Sequence, residues 1–93
     1  MSQELKSNKT RIFAITAGTN SQSVSKANAK RKYLEVRVLG SDVVYITSQQ
    51  NSPYSQGIPV GIYTPFRTAE SQSELWIITS SGSVTAYVSE VME

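Results

Sequence analysis

The residues able to do chemistry in this chain make a short inventory. His and Cys are absent, and Asp occurs once, at Asp42. The commonest general base and transition-metal ligand is therefore missing. So are thiolate nucleophiles, disulfides and zinc–thiolate sites. Ser is abundant, with 15 copies, and Lys is present, so a Ser–Lys pairing is chemically conceivable. No nucleophile elbow or Gly-rich phosphate loop frames such a pair. Glu70 and Glu74 fall in one polar turn, where carboxylates serve solubility. The inventory predicts no enzyme, no catalytic residue, no bound metal and no cofactor.

Binding chemistry is better represented. Lys30-Arg31-Lys32 is a basic triplet beside Tyr33 and could meet phosphates or an acidic partner. No ladder of aromatics for stacking bases accompanies it, which weighs against nucleic acid. Tyr54, Tyr63, Phe66 and Trp76 could stack on sugar rings, but their scatter defines no platform. Charge is uneven. Residues 1–40 hold eight cations against two carboxylates, a net of +6, and residues 41–93 hold one cation against five, a net of −4. Either one face is basic, or strands from the two halves interleave and the charges mix.

These groups must be carried by strands. Val, Ile and Thr supply 24 of 93 residues against four Leu. Such side chains lose rotamer freedom in helices and pack well on a pleated sheet. Tyr33–Leu39 alternates cleanly, with Leu34, Val36 and Val38 on one face and Glu35 and Arg37 on the other, the period of a half-buried strand. Further strands are expected at 11–16, 21–26, 43–47, 74–79 and 84–91, with hairpin loops around Gly40 and Gly82. Ile58–Arg67, broken by Pro59, Gly61 and Pro65, reads as an edge, a bulged strand or two short pieces. About seven short strands at this spacing predict a single all-β, jelly-roll-like sandwich over residues 11–93. Residues 1–10 read as a flexible arm. No run approaches the ~18 apolar residues of a membrane span. The N-terminus lacks the apolar stretch of a signal peptide, so synthesis in the cytoplasm is expected.

Several strands are apolar on both faces. With Val44 and Ile46 inward, Tyr45 turns outward. Leu75 and Ile77 likewise expose Trp76 and Ile78, and Val84, Ala86 and Val88 expose Tyr87. A monomeric sandwich keeps its outer faces polar, so Tyr45, Trp76, Ile78 and Tyr87 are expected to form an interface. A homo-oligomer follows, with a trimer as the first expectation. In the arm, Leu5, Lys6 and Lys9 would dock on an acidic strip of a neighbour.

The order Val24, Asn28, Arg31-Lys32-Tyr33-Leu34, Val44-Tyr45-Ile46, Gly57-Ile58-Pro59-Val60, Glu74-Leu75-Trp76-Ile77-Ile78, Gly82 and a Val-rich last strand resembles small β-sandwich virion proteins of tailed bacteriophages. The likeness spans about residues 22–91. It departs at Gly61–Phe66, where such proteins often carry a Pro-Ala-Gly turn. The resemblance implies a virion location and a structural role. The expected form is a capsid decoration (cement) protein held by the major capsid protein, with a receptor- or glycan-binding module of a fibre or tail as the alternative.

Overall fold

The computed structural model describes residues 9–69 and 73–92. Eight strands form in chain order: β1 (Lys9–Ala17), β2 (Gln22–Ser25), β3 (Arg31–Val38), β4 (Val44–Thr47), β5 (Ile58–Val60), β6 (Phe66–Thr68), β7 (Leu75–Ile78) and β8 (Val84–Met92). They build two antiparallel four-stranded sheets, β1-β8-β3-β6 (sheet A) and β2-β7-β4-β5 (sheet B). The chain thus crosses back and forth between the sheets, which is jelly-roll topology. Among the described residues the sole helical element is one 3₁₀ turn, Tyr54–Gln56.

The alternating residues fill the space between the sheets. Leu34, Val36 and Val38 from β3, with Ala86 and Val88 from β8, face Val44, Ile46, Val60, Leu75 and Ile77 of sheet B. Phe13, Ile15 and Phe66 pack at the margin. These are the inward positions that a period of two dictates.

Three expectations change. The segments around Gly40 and Gly82 are not hairpin loops. Each carries the chain from one sheet to the other, since β3 pairs with β6 and β8 and β4 with β5 and β7. A period of two identifies an inner face, but it cannot tell a strand beside its predecessor from one facing it across the core. The five residues between Val38 and Val44 suffice to cross the ~10 Å between sheets. Ile58–Arg67 resolves into two short strands in different sheets, which raises the count to eight. Finally, the sandwich starts before residue 11, because Lys9 and Thr10 pair with Met92 and Val91. The rest of the expected arm lies outside the described residues.

Candidate interaction surface

Three regions carry the polar or exposed groups that could matter. The first lies between the sheets at one end. Arg11 and Glu90 are in phase with the inward residues of β1 and β8, and they sit opposite each other in the ladder. Leu34 pairs with the same Glu90 from β3. A register shift between Arg31 and Tyr33 turns Arg31 inward as well. Glu90 Oε2 accepts from Arg31 Nε at 2.7 Å and from Ser25 Oγ at 2.6 Å, while Glu90 Oε1 accepts from Arg11 Nη2 at 3.1 Å. Arg31 also donates to Ser25 Oγ and to the carbonyls of Lys26 and Ser73. Burial alone pushes the Glu90 carboxyl up. The bonds from Ser25 and Arg31 and the charges of Arg31 and Arg11 outweigh it and hold the carboxyl below the usual range. Arg11 also stacks on Phe13, 4.6 Å from the ring centre. A shallow cleft of about 230 Å³ opens beside the cluster between Arg11, Lys26, Asn28 and Met92.

The basic triplet is therefore split. Lys30 and Lys32 are exposed, but Arg31 is buried against Glu90. The charge asymmetry of the sequence mixes in the fold, because Arg11 and Arg31 of the basic half flank Glu90 of the acidic half. The sequence reading missed this cluster. Arg11 and Glu90 were visible in phase with Phe13, Ile15 and Ala17 and with Val84, Ala86 and Val88. Arg31 was not, because the bulge reverses its parity.

The second region is the outer face of sheet A. Tyr87 lies there, 40% exposed, as the alternation requires. Its ladder partners are Ala14 on β1 and Arg37 on β3. Ile12, two residues along the same face from Ala14, is 72% exposed. Glu35 accepts from Arg67 Nε at 2.7 Å on this face, and that bond raises the guanidinium pKa.

The third region is the outer face of sheet B. Tyr45, Trp76 and Ile78 share it, with Tyr45 paired to Ile78 and Thr47 to Trp76. The chain covers much of it. The 3₁₀ turn lays Tyr54 against Tyr45, ring centres 5.1 Å apart, and Asn51 N–H donates to Ser21 Oγ to pin the loop. Ile78 is 8% exposed. It points away from the core as expected, but the fold itself buries it, which corrects its expected place in an open interface. Tyr45 and Trp76 are half-buried.

Leu5 and Lys6 lie outside the described residues, and Lys9 opens β1. The structure does not gather Tyr54, Tyr63 and Phe66 into one platform. Phe66 packs on the core, Tyr54 leans on Tyr45, and Tyr63 stands 90% exposed at the tip of a tight turn. That turn lies between β5 and β6. Thr64 N–H donates to the Gly61 carbonyl at 3.1 Å, and Gly61 N–H donates to Thr64 Oγ1 at 3.1 Å.

No family model matches the sequence. No curated protein matches it. A solved structure described as "Bacillus endospore appendages form a novel family of disulfide-linked pili" has a similar fold, with a TM-score of 0.58 over 90% of this chain and 83% of that one, at 13% identity. The chain is thus an all-β protein of the two-sheet sandwich class, and its particular form is the eight-stranded jelly roll.

Proposed function

We propose that this chain is a non-enzymatic structural subunit of a multi-copy assembly. The observation that carries the reading is the contrast between its polar cluster and its surface. Glu90, Arg31 and Ser25 are spent on one another in the interior, where they hold the two sheets together. The outer face of sheet A meanwhile exposes Ile12 and Tyr87 on the unbroken β1–β8 ladder. A surface of this kind works by contact, at roughly 25 cal/mol per Å² of apolar area before association costs. Repetition on a lattice turns weak contacts into firm attachment.

The assembly proposed is the virion of a tailed bacteriophage, with the chain decorating the major capsid protein after synthesis in the host cytoplasm. The order of sequence motifs supports this reading. Residues 1–8, with Leu5 and Lys6, would contribute contacts to the shell. A second reading, a subunit of a filamentous appendage, is favoured by the fold shared with a protein of endospore pili. The 93 residues hold no Cys, so any filament would be held without the disulfides named for those pili.

Electron microscopy of the purified full chain, alone and mixed with undecorated phage heads, tests both. The expected result is a regular array of density on the heads and no filaments without them. Filaments from the protein alone would favour the appendage. Neither product, at any salt or concentration, would remove the structural reading.

A further inference from the structure

The two sheets have four edges, and they are unequal. The β5 edge is three residues long and contains Pro59, which has no N–H to donate. The β6 edge is three residues long and follows Pro65. The β2 edge is four residues long and is interrupted by a register shift. Short strands, proline and bulges are the devices that keep an edge from pairing with another chain. The β1 edge has none of them. Its nine residues, Lys9–Ala17, include no Gly or Pro, and they pair with β8 in unbroken register. Among the described residues no strand lies on its other side. An inward charge can also protect an edge, but the Arg11 guanidinium is held by Glu90 of β8, on the paired side of β1 and not on its open side.

We infer that β1 pairs with β1 of a second copy, antiparallel, to give a two-fold dimer with one continuous eight-stranded sheet. This rests on the reading of the chain as an assembling subunit, and it names the partner. A head-to-tail contact would need a second free edge of similar length, and the other three are too short or blocked. Only β1 matches β1, so the contact is isologous and closes at two copies, in place of the trimer expected from the sequence. The register that uses all nine residues centres on Phe13. It sets Lys9 opposite Ala17, Thr10 opposite Thr16, Arg11 opposite Ile15 and Ile12 opposite Ala14. No like charges oppose each other. The exposed Ile12 of each copy lies beside Ala14 of the other on the outer face of the joined sheet, where apolar cross-strand pairs stabilise a ladder.

The Ile12–Ala14 pair supplies the test, since both side chains are exposed and neither belongs to the core. Sedimentation of the full chain should give twice the 10.2 kDa subunit mass. Amides of β1 that point away from β8 should exchange slowly at high concentration and quickly on dilution. Ile12→Lys with Ala14→Lys opposes like charges at both ends of the central segment. It should weaken the dimer by about tenfold or more without changing the circular dichroism spectrum. Ile12→Lys with Ala14→Glu opposes unlike charges and should restore the dimer. A folded double-Lys variant that dimerises as tightly as the parent would overturn the proposed pairing. So would a monomeric parent, including the case in which removing residues 1–8 uncovers the dimer, because those residues would then occupy the edge. Decorated heads together with a parent that sediments as a monomer would sink the β1 dimer and leave the structural role standing. A β1 dimer that neither binds heads nor polymerises would do the reverse.

Discussion

Arg31 and Glu90 come from opposite halves of the chain and meet between the sheets, with Arg31 Nε 2.7 Å from Glu90 Oε2 and side-chain exposures of 0% and 2%. Arg31 also reaches the carbonyls of Lys26 and Ser73, so this single side chain ties the ends of three segments to β8. A buried ion pair contributes little over a well-packed apolar pair, but breaking one is costly.

Replacing one partner should therefore hurt more than replacing both. Arg31→Met leaves Glu90 buried with only Arg11 and Ser25, and should cost about 3–5 kcal/mol in urea unfolding. The double variant Arg31→Met/Glu90→Leu should lose less than the sum of its single changes, with a coupling of about 1–3 kcal/mol. Additive losses would mean that the two groups act independently.

The same cluster sets an acid limit on stability. The Glu90 carboxyl titrates below the ordinary range in the folded chain and at an ordinary value when unfolded. Between those two values the unfolded state holds a proton that the folded state lacks, so stability rises with pH there. The contribution is complete above the ordinary value of ~4.3. It is lost as pH falls through the folded value. Glu90→Gln should lower Tm at pH 7 and flatten the Tm profile in acid relative to the parent. Parallel profiles would assign the acid sensitivity to other groups.

The strand faces were legible in the sequence, because a period of two shows in Leu34-Val36-Val38 and in Val84-Ala86-Val88 without any tertiary knowledge. Topology was less so. Two consecutive strands with good inner faces look alike whether they pair or oppose, and this hid the sheet crossings at Gly40 and Gly82. The cover over sheet B was hidden for another reason. Seating Tyr54 on Tyr45 depends on where the Gln49–Gln56 loop folds back, and nothing local to Val44–Thr47 records it. Arg31 looked like one of three cations open to a partner, since its face is decided by the bulge between it and Tyr33.

Where the face was legible the expected energetics follow. Leu34 is fully buried at the centre of β3, between β8 and β6. Leu34→Ala removes three buried carbons and leaves a cavity in a tight core, and should cost about 2–5 kcal/mol. Chemical denaturation with an unchanged m-value checks it.

The cover over sheet B depends on one close approach. Gly57 N–H donates to the Tyr54 carbonyl at 2.9 Å and so closes the turn that carries Tyr54 to Tyr45. The backbone there is extended, with φ −96° and ψ 168°, which any residue adopts. Space is what requires glycine. A Cβ on Gly57 would stand 2.9 Å from Tyr45 Cβ, 3.1 Å from the Ile46 carbonyl oxygen and 3.1 Å from Thr47 Cγ2. The carbonyl and the Cβ are fixed by β4, so the turn must move instead. Gly57→Ala should cost about 1–3 kcal/mol, as overpacking does. It should also lift Tyr54 off Tyr45 and speed amide exchange across the 3₁₀ turn. Gly40→Ala is the control, because nothing lies within 4 Å of its added carbon. Fewer unfolded conformations should make that change neutral or stabilising by up to about 1 kcal/mol. Equal effects of the two alanines would show that the turn yields freely and that its seat on β4 does not hold the outer face of sheet B closed.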